Sequence, residues 1–441
     1  MKVLLINPPM PYEIKGHLQT PLGLCYLSSM IKSIAESLVF DCNVSGDIET
    51  TIHQFKPDVI GISVLTATYI NVLKLLCAVS QLAKPNCIFI AGGVHASIFP
   101  EELLKNGFHL VIRGEGERVF FGVISSIAKA KDYYDLAGIS FVGEDGVIKH
   151  NPDAELIEDL DTIPLPDRKD LPLHNYEHEA ILTSRGCNFR CFYCSSSHYW
   201  GHKTRYRSAE NVFAELWQLY ITGVRKFYFC DDNFTSSHAL VKGICQGIIF
   251  ESMNIRWSAL TRADTVDIDL LKLMKQAGCT ILSFGIESGL NAFHKNTKKT
   301  SIEKIMATFA MLREIGIKTR TTWIIGLGKT VEDEYNSLQF IKELLPDQVS
   351  VHCLIPFPNT EAWYKPEKYN LVLDKENFDW NVMNMTYSPY LLDNIRFKHI
   401  TKEEIISLIE KTRKELKDYK YDGVQRKFET FLDNEIIKVI E

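Results

Sequence analysis

Twice along this chain, short apolar runs alternate with stretches of helical period, and that alternation leaves few folds open. At the start KVLLIN reads as a buried strand, GLCYLSSMIKSIAE has helical spacing, and SLVFDCN reads as a second strand. DVIGISVL, CIFIAGG and HLVIRGEGE follow as strands, with INVLKLLCAVSQLA as a helix between the first two. Continuous apolar strands separated by helices predict an α/β, doubly wound (Rossmann-like) domain over residues 1–150. Residues 151–180 are rich in Pro and Asp and read as an extended linker. The alternation then resumes with AILTSRG, KFYFCDD, IRWSALTR, TILSFGIES, KTRTTWIIG and QVSVHCLIP as strands. Helices at 208–221, 238–252, 268–277, 301–315 and 331–344 fall between them, so residues 181–360 are expected to form a partial (β/α)6 barrel of TIM type. Residues 361–441 turn more polar and irregular. They predict a small, mainly helical C-terminal region, with helices at 401–417 and 423–440.

In both halves glycine and polar residues gather at the carboxyl ends of the strands, where such folds bind ligands. The front half places Asn7-Pro8-Pro9, Ser63 to Thr66, Gly92-Gly93 and Gly114 to Glu117 there. With a net charge of −6, the 441-residue chain carries no basic footprint for nucleic acid. The longest apolar stretch is interrupted by Asp58, Asn71 and Lys74, so no membrane span is expected. MKVLLINPP begins a strand at once, which predicts no signal peptide and a cytoplasmic setting. Eleven cysteines in that setting read as thiols or metal ligands, not as disulfides.

Three of them stand together in RGCNFRCFYC: Cys187, Cys191 and Cys194. A structural zinc would need a fourth ligand, and His198 has a plausible spacing for one. The stretch, however, directly follows the first barrel strand, where an active-site loop belongs. A [4Fe–4S] cluster held by three thiolates, with one iron open to a ligand, suits that place better. The run WIIGLGKT imitates a phosphate-binding loop, but the required first glycine is Trp323 and that reading fails.

The CxxxCxxC spacing, with Tyr193 as the aromatic before the last cysteine, resembles the radical S-adenosylmethionine (SAM) superfamily. That resemblance implies a cluster on Cys187, Cys191 and Cys194 whose open iron is chelated by SAM, and it supplies roles for later strand ends. Asp231 and Asp232 in CDDNF are candidates for the SAM amino group, although either could also cap a helix. Arg262 in WSALTRAD is placed to grip the carboxylate. Glu287 and Ser288 in FGIESG are placed for the ribose. Gly326 in WIIGLGKT and Ile355 in LIPFPNTEAW are placed near the rest of the nucleoside. Lys329 stands where the family commonly has Glu, so only the glycines Gly326 and Gly328 carry over.

TPLGLCYLSSMI, GISVLTATY, AGGVHAS and RGEGE, in that order ahead of the cysteines, resemble the cobalamin-binding domain of one branch of the superfamily. The residues implied are Pro21, Leu22, Gly23, Ser63, Leu65, Thr66, Tyr69, Gly92, Gly93, His95, Glu115, Gly116 and Glu117. The Asp-x-His-x-x-Gly motif of familiar cobalamin domains is missing, since His17, His53 and His95 all lack that context. The implied cobalamin is bound with its base detached and without a histidine on cobalt.

Three cofactors are thus expected: a [4Fe–4S] cluster, SAM and cobalamin. They imply a C-methyltransferase acting at an unactivated sp3 carbon of a small-molecule or peptide substrate, with a flavodoxin- or ferredoxin-type reductant and no nucleic-acid or membrane partner. Oxidation, ring contraction or cyclisation without methyl transfer is the alternative within the branch. A regulator would need a DNA-binding module, and the C-terminal residues show no basic helix-turn-helix pattern. The aromatics Trp363, Tyr364, Phe378, Trp380, Tyr387 and Tyr390 are expected either to close the barrel mouth or simply to pack.

Overall fold

The computed structural model of the chain describes residues 1–10, 19–376, 378–380, 383 and 394–417. His17, Tyr387, Tyr390 and the helix expected at 423–440 lie outside the described residues. The chain divides into two compact units, Met1–Ala180 and Ile181–Glu441.

The first unit runs β1 (Lys2–Asn7), α1 (Leu22–Ile31), β2 (Glu36–Asp41), α2 (Ile48–Phe55), β3 (Val59–Ser63) and α3 (Tyr69–Leu82). It continues with β4 (Ile88–Gly92), α4 (Val94–Ile98), α5 (Pro100–Lys105), β5 (Leu110–Ile112), α6 (Gly116–Ala128), β6 (Ile139–Val142) and β7 (Ile148–His150). Its sheet has the order β2-β1-β3-β4-β5-β6-β7. The ladders from β2 to β5 are parallel. The last two strands return antiparallel, an addition the sequence reading missed because each is short and polar on one face. Strand order reverses at β1 and β3, so the crevice for a ligand opens at their carboxyl ends.

Residues 151–180 are not a free linker but belong to this unit. Leu160, Ile163, Leu171 and Tyr176 are buried in it. The Tyr176 hydroxyl donates to Asp41 Oδ2 at 2.8 Å, and Arg168 Nε lies 3.1 Å from Glu179 Oε2, which also accepts from Thr20. Apolar residues spaced among the prolines and aspartates explain why this stretch packs down instead of spanning solvent.

The second unit opens with β8 (Glu179–Ile181), a strand the unit boundary crosses, then β9 (Ser184–Arg185), α7 (Ser195–Tyr199), β10 (Arg205–Tyr206), α8 (Ala209–Ile221) and β11 (Lys226–Phe229). There follow α9 (His238–Phe250), β12 (Arg256–Thr261), α10 (Ile268–Gln276), β13 (Cys279–Glu287), α11 (Asn291–Phe293) and α12 (Ile302–Ile315). The barrel ends with β14 (Lys318–Ile325), α13 (Val331–Leu344) and β15 (Gln348–Cys353). Beyond it lie α14 (Glu361–Tyr364), β16 (Leu371–Leu373), β17 (Ile395–Phe397) and α15 (Lys402–Lys417). Six strands pair in the order β15-β14-β13-β12-β11-β8, the expected partial barrel. Alternate residues of β12, β14 and β15 are buried, as strands covered by helices on one face require. The antiparallel pair β16–β17 interrupts the helical character expected beyond residue 361.

Candidate functional site

Two short strands, β9 and β10, pair antiparallel and close the base of a loop, residues 186–204, that carries all three clustered cysteines. Gly186 opens the loop at φ +93°, and a Cβ there would collide with the Lys203 carbonyl oxygen. Only glycine meets both conditions. Cys194 donates its N–H to the Cys191 carbonyl at 3.1 Å, and α7 begins at the next residue. Gly186→Ala is expected to lose most of the iron bound on reconstitution while keeping the far-ultraviolet circular dichroism of the native protein. Iron analysis showing a full complement would contradict this account of the loop.

The thiols lie within electrostatic reach of one another and of Asp232. Burial, with that negative surrounding, pushes the Cys187 thiol up to about 11 and raises Cys194 as well. Thiolates crowded this way exist together only around a cation that outweighs their repulsion. Among the described residues no three His, Cys, Asp or Glu side chains are grouped as ligands of a single metal ion. Three thiolates, one short of a closed tetrahedral zinc site, suit a cluster with one open iron better than the zinc alternative. His198 Nδ1 lies 2.8 Å from the Cys194 carbonyl.

Asp231 and Asp232 follow β11 and part company. Asp231 Oδ1 accepts from Thr183 N (3.1 Å), Thr183 Oγ1 (2.8 Å) and Ser184 Oγ (2.6 Å), which ties it to the approach to β9. Its carboxyl is raised to about 6 by burial, against those hydrogen bonds. Asp232 faces the thiols, and burial raises its carboxyl too.

The end of β13 holds the most constrained side chain. Glu287 has φ +66°, a conformation costing a non-glycine residue roughly 1–3 kcal/mol. A register shift between Gly285 and Glu287 in the β13–β14 ladder turns it there. The carboxylate folds back over Gly285, where any Cβ would strike Glu287 Oε1. Lys298 Nζ lies 3.3 Å from that oxygen and 3.1 Å from the Gly285 carbonyl. Burial raises the Glu287 carboxyl, and Lys298, then Arg262, oppose it. Lys298 ends a π-helical turn, His294–Lys298, a rare geometry favoured at functional sites. Its ammonium also sits 5.8 Å from the ring centre of half-buried Tyr193.

Arg262 reaches the same cluster of groups. Its guanidinium stacks on Phe189 of the cysteine loop at 3.6 Å, grips Asp264 with two bonds (2.9 and 2.7 Å) and donates to the Lys298 carbonyl at 2.5 Å. Ser288 is not brought in: it is fully buried, and its hydroxyl accepts from Ser337 Oγ of α13 and from Leu290 N. Gly326 takes φ +106° with Phe397 against it. Its N–H and that of Gly328 both donate to Glu334 Oε1, at 3.0 and 2.7 Å. A carboxylate from α13 thus holds the turn between the two glycines. The Ile355 carbonyl accepts from Phe357 N at 2.9 Å. Chain beyond the barrel also touches the cysteine loop: Ala362 N donates to the Phe192 carbonyl at 3.1 Å, and the Phe192 and Tyr369 rings stack at 3.8 Å. Trp363, Phe378 and Trp380 pack against each other with ring centres 5.1 to 6.1 Å apart, whereas Tyr364 is exposed.

In the first unit, Ser63, Leu65, Thr66 and Tyr69 meet Gly92, Gly93 and His95 at the carboxyl ends of β3 and β4. Val64 N donates to the Gly92 carbonyl (2.7 Å), and His95 N to the Val64 carbonyl (3.1 Å). A Cβ on Gly93 would come 2.8 Å from Val64 O, so this approach needs glycine. His95 is fully buried between Tyr69 and Phe99, at ring distances of 4.3 and 5.1 Å, and burial lowers it to about 3. Leu65 stands 44% exposed at the turn after β3, an apolar surface suited to a flat macrocycle. Pro21, Leu22 and Gly23 begin α1, and Gly23 has open space beside it. Glu115 and Glu117, at the start of α6 with Gly116, are buried, and Glu115 accepts from Ile157 N at 2.6 Å.

Residues 181–341 match the family model for the radical SAM superfamily, and residues 16–124 match the B12 binding domain. The uncharacterized methyltransferase PH0819 of Pyrococcus horikoshii is 31% identical over 436 residues, covering 93% of this chain and 91% of that protein. The chain belongs to the radical SAM superfamily. Its front unit is a B12-binding domain, which places it in the cobalamin branch of radical SAM proteins. The anaerobic magnesium-protoporphyrin IX monomethyl ester cyclase of Synechocystis is 27% identical, over 88% of this chain and 82% of the cyclase. A solved structure of the radical SAM methyltransferase TsrM from Kitasatospora setae, with cobalamin and a [4Fe–4S] cluster bound, has a TM-score of 0.72 at 19% identity. It covers 86% of this chain and 81% of TsrM, a likeness of fold. Among the described residues no helix is long and apolar enough to cross a membrane.

Proposed function

We propose that this radical SAM protein is a cobalamin-dependent C-methyltransferase, which exchanges hydrogen for methyl at an unactivated sp3 carbon of a small molecule or peptide. The observation that carries the reading is the thiol loop of Cys187, Cys191 and Cys194, set beside Asp232 and the paired Glu287 and Lys298 in a chain with a B12-binding domain. When bound, the cluster with SAM supplies a radical able to take the hydrogen, and cobalamin supplies the methyl group. The chain's own residues hold and orient these groups.

Cys187, Cys191 and Cys194 hold three irons. Asp232, which faces the thiols, takes the SAM amino group, and Asp231 braces the strand behind it. Glu287 accepts the ribose hydroxyls, with Lys298 opposing the effect of burial on its carboxyl. Arg262 offers the nitrogen its Asp264 clamp leaves toward the carboxylate, while Gly326 and Ile355 line the nucleoside. Ser288 acts through the turn it fixes. Ser63 to Tyr69 and Gly92 to His95 form the cobalamin floor, with Leu65 against the macrocycle. Pro21 to Gly23 and Glu115 to Glu117 flank it. An electron donor of flavodoxin or ferredoxin type and a cytoplasmic setting complete the reading. Similarity to the cyclase keeps one rival, the same site run without methyl transfer.

The structure of the B12-binding unit adds an expectation about cobalt. His95 is fully buried between two rings, which keeps its imidazole from reaching the metal from this loop. Electron paramagnetic resonance of the reconstituted Co(II) protein is expected to show no axial nitrogen splitting. Strong nitrogen splitting would contradict the assignment, and failure to bind cobalamin would remove the domain's role.

A further inference from the structure

Inside the barrel Arg320 of β14 differs from three arginines that each grip a carboxylate. Arg207 meets Glu215 at 2.5 Å, Arg168 meets Glu179 at 3.1 Å, and Arg262 meets Asp264 at 2.7 Å. Arg320 of β14 meets no carboxylate among the described residues. Its Nε donates to Gln348 Oε1 at 2.7 Å, and Gln348 is its register partner on β15. That bond fixes the plane of the guanidinium and leaves both Nη groups without a hydrogen-bond partner among the described residues.

The strand pattern places Arg320 on the inner face. Thr319, Thr321 and Trp323 are buried beneath the helices, whereas Arg320 and Thr322 are partly exposed between them. Ser283 is the register partner of Arg320 on β13, and Tyr228 of β11 lies within its electrostatic reach. One layer nearer the carboxyl ends, Gly285, Thr322 and Ser350 are in register. Barrels of this kind usually fill such layers with Val, Ile and Leu. Here the layers are polar, with Ser283 and Gln348 beside Arg320 and with Gly285, Thr322 and Ser350 above them. Since Glu287 folds over Gly285, the ribose site stands one inner layer above Arg320, about 7 Å along the strands.

We propose that the substrate carries an oxyanion, carboxylate or phosphate, and that Arg320 binds it inside the barrel with the hydroxyls of Ser283 and Tyr228 beside it. A preset planar fork matches either anion with two parallel bonds. Anchored there, the substrate is drawn below the SAM site with its remaining carbons directed up toward it. The inference rests on the proposed SAM site and adds a substrate class to it.

The test is equilibrium binding of inorganic phosphate and of acetate to the reconstituted protein, with SAM affinity measured on the same samples. Saturable binding of at least one anion is expected, weakened about tenfold or more in Arg320→Gln. Arg256→Gln, at the exposed start of β12, should bind as the native protein does. Preference for phosphate assigns a phosphorylated substrate, and preference for acetate a carboxylic acid. Equal affinity in native and Arg320→Gln protein, or no saturable binding of either anion to the native protein, overturns the proposal. Arg320→Lys keeps the charge without the fork and decides the case if the Gln variant fails to fold, an affinity equal to the native one counting against the fork. Loss of SAM binding in the native protein would instead sink the functional reading.

Discussion

Replacing Cys187, Cys191 and Cys194 together with Ala is expected to remove the iron–sulfur centre altogether. Visible absorption and the paramagnetic signal of the reduced protein should both vanish, while cobalamin binding by the separate first unit persists. The size of the effect follows from the ligand set. The loop offers three thiolates, and the triple variant removes all of them. Because burial raises two of these thiols, the binding energy of iron also has to cover their deprotonation. A single substitution should therefore leave at most a labile cluster. Retention of a full complement of iron in the triple variant would show that the loop is not the site, and one tightly held zinc would restore the structural-metal reading.

Lys298→Met should do the second largest damage, and its sign with pH is specific. Removing one partner of a buried ion pair typically costs about 3–5 kcal/mol unless the other partner neutralises itself. Glu287 can do so by taking up a proton, for its carboxyl is already raised by burial and Lys298 is the largest opposing influence. In the variant the carboxyl rises further. Below that raised value Glu287 is protonated and accepts the ribose hydroxyls poorly; above it the carboxylate returns. SAM affinity of Lys298→Met is accordingly expected to fall about tenfold or more at neutral pH and to recover in part as pH rises. Glu287→Gln should weaken SAM binding without that recovery. The double variant should lose less than the sum of the two, since the residues act as a pair. Titrations of SAM across pH check this, and a Lys298→Met profile superimposable on the native one would contradict it.

Much of this architecture was legible in the chain because apolar runs and helical period are local signals. The barrel helices appear within one or two residues of where periodicity puts them, from Ala209–Ile221 to Val331–Leu344. The grouping of Cys187, Cys191 and Cys194 on one loop was legible because their spacing is itself local. What escaped depends on tertiary contact. Residues 151–180 look like a linker until Tyr176 finds Asp41 and Arg168 finds Glu179. Lys298 sits in HKNTKKT, a run that reads as solvated charge, and only the fold puts one of its lysines beside Glu287. Glu334 reaches the Gly326 N–H from eight residues away in sequence, past a capping box that gives no hint of the contact. Asp231 and Asp232 are equivalent in the sequence. The hydroxyls of Thr183 and Ser184 separate them. For Gly285 and Gly186 the signal was present, since glycine beside a functional residue often marks a close approach, but the neighbour being approached was not.

The most direct test of the central claim is to incubate the anaerobically reconstituted enzyme, carrying cluster and cobalamin, with SAM, reductant and its substrate, and to quantify product and both SAM-derived coproducts by mass spectrometry. A methyltransferase of this kind exchanges one hydrogen for one methyl per turnover, consuming one SAM for the hydrogen and one to recharge the methyl carrier. The account predicts 5′-deoxyadenosine and S-adenosylhomocysteine in near-equal amounts, with a product heavier by one CH2. Deoxyadenosine alone, without homocysteine coproduct and without gain in mass, would contradict it and favour the rival reading, the same site run without methyl transfer.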